Sequence, residues 1–491
     1  MSLFNKILKN RNQNKSQKTI NKAGGEAFTQ SPKMKLASIL LTSFAQDQYY
    51  RKAEDAFKEM VALLSIVNPL FAAKAAIYAR QKYGMRSITH VLAGEMAAYV
   101  SGQTWAKDFY NQIIRRPDDM LEIAAYYQAK GGKNLPNAMK KGFASAFDKF
   151  DGYQIAKYRG DGKAVKLIDL VNMVHPTPTL ANASALQQLV DGKLKNIETW
   201  EAKLTMAGQK ARNEAEKTRL KLNVWNQLLQ EGKLGYFALI RNLRNIAAFQ
   251  DSRLINLAYA QLTDANRIKK SLVLPFRLIV AWKQIGNTDR FARKLRSGLE
   301  RAIDIACDNV PELENTLVVI DNSGSMHQKV SNSEHILCNE MGAAFGMMLA
   351  KRCNADILEF GTSARYIRYN LNDSVMDFAT NFERNNKVGH GTNFHSIFQH
   401  IQKPYDRIVI FSDMQGWIGY TNPSNSFNIY KAKIKSNPYL YSFDLAGYGT
   451  MQFPENKIFC LAGFSEKVFD LMGVIETNPK ALVRAIEAIE L

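Results

Sequence analysis

The chain has little cysteine and no paired cysteine motif. Its four cysteines, Cys307, Cys338, Cys353 and Cys460, are scattered without C-x-x-C spacing. That argues against a zinc site and a disulfide framework and fits a reducing cytosol, so a cytoplasmic protein is expected. Long apolar runs are missing too. None reaches the length of a bilayer span, and no membrane association is expected. The basic N-terminus offers only Leu3-Phe4 and Ile7-Leu8 as apolar pieces, too little for the h-region of a secretory leader. Strand-like alternation is scarce between residues 31 and 310, and no sequence period recurs cleanly.

Acidic charge is in deficit, but only in one part. The 491 residues carry a net +20. Residues 1–310 hold 49 Lys and Arg against 26 Asp and Glu, a net of +23, whereas residues 311–491 hold 16 against 19, a net of −3. An excess of that size favours a polyanionic partner, nucleic acid before membrane, although a basic surface with no partner has the same composition.

Residues 1–22 are rich in Asn, Lys and Gln and read as a flexible basic N-terminus. From there to about residue 312 the pattern is helix after helix. Ser31-Pro32 and Asn68-Pro69 each pair an N-cap with a proline at the first helical position. Gly84, Gly131-Gly132 and Gly160 to Gly162 supply breaks, and Trp225 to Phe249 reads as two helices parted near Gly232 to Gly235. Many short helices with brief turns suggest a helical-repeat solenoid. Residues 313–491 change character. Strand-like stretches at 317–320, 355–360, 406–411, 438–443 and 457–461 alternate with helices, one near 333–352 and one closing the chain after Asn478-Pro479. That alternation predicts a doubly wound α/β sheet.

The run Leu317-Val318-Val319-Ile320 leads directly into Asp321-Asn322-Ser323-Gly324-Ser325. A carboxylate and two hydroxyls at alternate positions of a strand-end loop can point their oxygens at one spot, as a hard divalent cation such as Mg²⁺ requires. Gly389-His390-Gly391-Thr392-Asn393 adds a hydroxyl, and Asp413 follows the run Arg407 to Phe411. The set Asp321, Ser323, Ser325, Thr392 and Asp413 is similar to the metal-ion-dependent adhesion site of von Willebrand factor A domains. The plainer alternative is a strand-to-helix turn with Ser323 or Ser325 as N-cap. His327, His390 and His395 lie nearby in sequence, but none stands at a spacing that marks a general base.

A basic helical array followed by such a domain resembles the Ro ribonucleoprotein, or TROVE-domain, family. Asn21-Lys22-Ala23-Gly24-Gly25-Glu26-Ala27-Phe28 looks like its opening segment, and Tyr83-Gly84-Met85-Arg86-Ser87 like its Gly-Met-Arg-Ser element. Trp225-Asn226-Gln227-Leu228-Leu229, Phe237 to Leu243, and Leu274-Pro275-Phe276-Arg277 are similar to three further elements. The resemblance implies a HEAT-like helical ring bridged by the A-type domain, in a monomeric protein. It implies binding of small non-coding, Y-like RNA on a basic outer surface, and of single-stranded 3′ ends of misfolded or immature RNA in a central cavity. It also implies work alongside an exoribonuclease, and no catalysis by the protein itself.

Lys157-Tyr158-Arg159, with Lys163 and Lys166 close by, interleaves cations with an aromatic, as unstacked RNA requires. By the resemblance, Lys157 and His175 match positions that contact Y RNA, with Arg159 or Lys163 standing for a further arginine. A partly buried histidine ahead of Pro176 is the alternative for His175. Arg241 and Arg244, three apart on a helix, face away from Leu239, Leu243 and Ile246. With Arg86 they are candidates for a cavity lining, or else solvated and structural arginines. Two other classes stay open: a protein-interaction scaffold that uses the cation site, and a metal-dependent nuclease.

Overall fold

The computed structural model describes residues 18–21, 23–29, 31–42, 53–195, 199–271, 275–310, 312–329, 336–419, 423–446, 450–453, 458–462, 472 and 481–491. Most of the expected N-terminal segment, Leu274 and the Asn478-Pro479 helix start lie outside the described residues. The chain folds as two compact units, one of Phe57–Val224 with Arg484–Leu491 and one of Met1–Ala56 with Trp225–Val483. Among the described residues no helix is long and apolar enough to cross a membrane.

The first unit is helical. Its helix Pro69–Lys82 starts where the Asn68 side chain accepts the Leu70 N–H at 2.8 Å, with proline at the first position. Gly84, with φ +69°, turns the chain just past its end. Phe71, Ala72, Ala73, Ala75, Ala76 and Ile77 are buried, and so many alanines let neighbouring helices approach closely. The helices Ala106–Ile113 and Asn137–Ala146 do so at Gly142, where a side chain would meet Lys107 O at 2.7 Å. An ionic knot fixes the starts of Ser87–Glu95 and Pro117–Ala129. Fully buried Asp119 accepts from Arg80 at 2.8 Å, from Arg86 at 3.1 Å and from the Arg115 N–H at 2.9 Å, and His90 lies 3.0 Å away. Burial alone would raise the Asp119 carboxyl. The His90 bond and the Arg80 charge outweigh it and hold the group far below the usual carboxylate range.

The second unit joins helices to a sheet. The expected break in Trp225 to Phe249 falls between helices Glu214–Gln230 and Tyr236–Ala247. The main sheet takes β3 (Thr316–Asp321), β4 (Asp356–Phe360), β5 (Ala364–Ile367), β6 (Arg407–Ser412), β7 (Tyr439–Asp444) and β9 (Ile458–Ala462) in the order β5-β4-β3-β6-β7-β9. All neighbours are parallel except the edge strand β5. This is the doubly wound arrangement that the alternating pattern predicts. The helix expected near 333–352 is described over Cys338–Cys353 and is buried along most of its length. A smaller sheet, not foreseen, pairs β1 (Lys18–Ile20), β2 (Glu26–Thr29) and β8 (Thr450–Met451) antiparallel. Composition shifts near residue 312, but compactness does not. Lys283 on the helix Pro275–Ile285 pairs with buried Glu340, and Lys351 reaches Asp304 at 3.2 Å, so the last helices belong with the sheet.

Candidate cation site and nucleic-acid interface

β3 and β6 are adjacent, and the strand order reverses on either side of β3. Ligands of open α/β sheets gather beyond the strand ends at such a switch point. Asp321 ends β3, and Asp413 follows β6. Both carboxyls are fully buried. Asp321 takes the Ser323 N–H at 2.8 Å and the Ser412 hydroxyl at 2.5 Å. The Ser323 and Ser325 hydroxyls lie 3.4 Å apart. Buried Thr392 joins through its backbone, its carbonyl accepting the N–H of Trp417 at 3.2 Å and of Ile418 at 3.3 Å. The Gly324 N–H donates to His390 O at 2.8 Å, which ties the first loop to the Thr392 loop. The structure therefore gathers the loops of all five expected ligands at one end of the sheet.

The electrostatics of that cluster are compatible with a cation. Burial pushes the Asp321 carboxyl above its ordinary range, although bonds from Ser323 and Ser412 pull it down. Burial, and then the nearby Asp321 charge, push Asp413 up as well. Asp413 Oδ1 takes the Gln415 N–H at 3.1 Å, and its Oδ2 is buried with no hydrogen-bond partner among the described residues. Two buried carboxyls, a free oxygen and two hydroxyls form a hard oxygen set that fits a divalent ion. When bound, such an ion would neutralise the pair and offer a coordination position to an incoming anion.

Supporting residues that the motif reading passed over hold the first loop. Asn322 donates to Glu359 Oε1 at 2.8 Å and accepts from Asn339 Nδ2 at 2.9 Å. Asn386 Nδ2 donates to Asn322 O at 2.6 Å. Arg365 pairs with Glu359 at 2.6 Å. Buried Asp444, at the end of β7, adds a further negative charge near Asp413. His327 meets Asn339 at 3.3 Å and the His390 ring at 5.6 Å, and buried His395 meets Ser426 Oγ at 2.7 Å. Among the described residues none of these three histidines hydrogen-bonds a carboxylate.

The cationic candidates divide between the two units. In the first, a cleft of 480 Å³ is lined by Lys157, Tyr158, Arg159 and Lys163, with Asp118 and Thr199. Lys157 Nζ lies 5.6 Å from the ring centres of both Tyr153 and Tyr158, and Arg116 stacks 5.0 Å from Tyr158. Arg159 donates to Leu194 O at 2.7 Å and pairs with Asp161, while Lys163 pairs with Glu122 at 2.5 Å. Arg86 is not part of that lining but lies 3.0 Å from Asp118, which lines it and also holds Arg116. His175 is exposed, in a left-handed conformation that ends the helix Leu167–Val174, and is not part of the cleft lining. Sequence pattern did not reveal Arg116 or Tyr153 as partners, because what brings them in is packing across helices. In the second unit Arg241 and Arg244 are exposed on Tyr236–Ala247, opposite buried Leu239, Leu243 and Ile246, as their spacing predicts. Arg241 lies 5.7 Å from the Phe237 ring centre.

Fold and site together define a helical protein carrying a von Willebrand factor A-type domain. A family model of the TROVE domain matches residues 12–217 and 191–302, and one of the Ro60 vWA domain matches residues 315–473. The chain belongs to the Ro, or TROVE-domain, family, in the bacterial-type arrangement with a C-terminal A domain. It is 23% identical over 473 residues to the RNA-binding protein RO60 of Deinococcus radiodurans, covering 86% of this chain and 87% of that protein. It is 24% identical over 357 residues to telomerase protein component 1 of Mus musculus, over 55% of this chain and only 13% of that protein's length. The crystal structure of the Deinococcus radiodurans RO (Rsr) protein matches its fold with a TM-score of 0.57 at 17% identity, over 93% of this chain and 99% of that one.

Proposed function

We propose that this chain binds RNA through its helical part and acts in RNA quality control or processing. The observation that carries the reading is the cleft lined by Lys157, Tyr158, Arg159 and Lys163, with Arg116 packed on the Tyr158 ring and Tyr153 beside Lys157. Cations there meet phosphates, and the exposed Tyr153 and half-buried Tyr158 rings stack on unpaired bases. Residues 1–310, the stretch of sequence that holds this cleft, carry a net +23, a charge that favours a polyanionic partner. Membership in a family with an RNA-binding relative supports the same reading. We extend it to two RNA classes: small Y-like non-coding RNA, and single-stranded 3′ ends of misfolded or immature RNA. His175, Arg86, Arg241 and Arg244 are the further contacts, the protein binds without cleaving, and the setting is the cytoplasm. Sequencing the RNA that copurifies with the full chain tests this. Enrichment of one small structured RNA supports it, and recovery of bulk RNA in proportion to abundance opposes it.

The A-type domain supports a second role, capture of a protein partner such as an exoribonuclease. The free buried oxygen of Asp413 and the hydroxyls of Ser323 and Ser325 favour Mg²⁺, whose open position suits an acidic side chain. A pull-down after RNase treatment, with and without EDTA, tests it. A partner that survives RNase and is lost with EDTA supports the role, and one lost with RNase opposes it.

A further inference from the structure

Asn21 and Ala23 to Gly25 are tied in a turn that supplies none of the five expected cation ligands. The Asn21 side chain is almost wholly buried. Its Oδ1 accepts the N–H groups of Ala23 at 3.0 Å and Gly25 at 2.9 Å, and its backbone N–H donates to Gly25 O at 2.9 Å. The whole side chain is thereby aimed one way. Its Nδ2 donates to Gly416 O at 2.6 Å, across 395 residues of sequence. Gly25 lies flat against the same peptide, where an added methyl would run into Gly416 O and stand 2.8 Å from Trp417 Cα. Gly24, at φ +86°, permits the turn.

Gly416 belongs to the loop that carries Asp413. That loop is held in an unusual course: Met414 has φ +58°, which a methionine rarely adopts. Met414 N–H donates to Ser412 Oγ at 3.0 Å, and Ser412 Oγ in turn donates to Asp321 Oδ2. Gln452 Nε2, beside β8, donates to Met414 O at 2.9 Å. Trp417 N–H reaches the carbonyl of Thr392. The loop is thus gripped at Met414, at Gly416 and at Trp417, and the middle grip comes from the N-terminal turn, anchored by the pairing of β2 with β8.

We propose that Asn21 is a positioning residue of the cation site, its turn latching the Asp413 loop so that both carboxylates face one ion. This rests on the reading of that site as a cation site. The test is Mn²⁺ titration of the full chain by calorimetry, for wild type, Asn21→Ala and Asn21→Asp. Asn21→Asp keeps an acceptor for Ala23 and Gly25 but loses the donor to Gly416 O, so it separates making the turn from latching the loop. The expected result is binding to wild type, weakened roughly tenfold in both variants, with each variant still unfolding cooperatively in EDTA, at a midpoint lowered by the lost bond. Asn21→Asp binding Mn²⁺ as wild type does overturns the latch while leaving the cation site standing. No Mn²⁺ binding by wild type overturns the cation site itself, and the positioning role with it.

Discussion

Replacing Asp413 with asparagine sets the stability of the protein against its cation site. Asp413 and Asp321 are both wholly buried, and each is pushed above the ordinary carboxylate range, Asp413 partly by the Asp321 charge. In the cation-free protein the folded state therefore holds protons more tightly than the unfolded chain does. The stabilising contribution of these protons is complete below the ordinary carboxylate pKa and is lost as pH rises through the raised values. At neutral pH keeping Asp413 in the buried pair, whether ionised or protonated against its raised pKa, costs stability, and Asp413→Asn does not carry that cost. Relief of that buried-carboxyl cost is worth about 2 kcal/mol, which for a unit of this size raises the thermal midpoint in EDTA by roughly 3 °C. The wild type should recover the difference when a divalent ion binds, gaining about 2.7 kcal/mol at one hundred times the dissociation constant. Asp413→Asn should gain little. Differential scanning calorimetry at pH 7.5, in EDTA and in millimolar Mg²⁺, reads both effects. A variant less stable than wild type in EDTA, or one equally stabilised by Mg²⁺, contradicts the assignment of Asp413 to a cation.

Tyr158→Ala should weaken binding of a single-stranded RNA by about 1–3 kcal/mol while leaving its salt slope unchanged, because the lost contact is stacking. Lys157→Ala should flatten that slope by roughly 0.7 for a single strand, and fluorescence anisotropy across a salt series distinguishes the two. Asp119→Ala strands buried Arg80 without its partner. It should destabilise the helical unit by about 3–5 kcal/mol in urea denaturation. An unchanged midpoint would show that the knot is not structural. Labelled RNA incubated with the protein and Mg²⁺ should remain intact over hours, and a discrete cleavage product would favour the nuclease alternative.

Much of the sheet was legible because its strands are buried on both faces. Leu317 to Ile320 and Ile408 to Phe411 read as continuous apolar runs, which is what a central parallel strand requires. β5 escaped notice for the opposite reason. It is a short edge strand, Ala-Arg-Tyr-Ile, whose Arg365 is there to meet Glu359. The sheet of β1, β2 and β8 was invisible because its strands are two to four residues long and come from distant parts of the chain. The candidate cation residues could be picked out because they sit at fixed offsets from strand ends, whereas Ser412 and Asn386 hold the same loops through contacts that no local spacing encodes. On the cationic side, Lys157, Arg159 and Lys163 are adjacent in sequence and share one cleft. Arg86 also meets Asp118 and Asp119 from another helix, contacts that its sequence neighbourhood does not encode. His175 is exposed where a left-handed residue ends its helix, which removes the buried alternative.

The most direct measurement is the affinity of the full chain for a small structured RNA and for a single-stranded 3′ tail, each titrated from 50 to 200 mM salt. Phosphate contacts from several of these cations should lower the affinity by about 10³-fold or more over that range, with Tyr158→Ala weakening the tail. Affinity that stays flat with salt, or no affinity for either RNA at 50 mM, would contradict an RNA-binding protein built on this cleft.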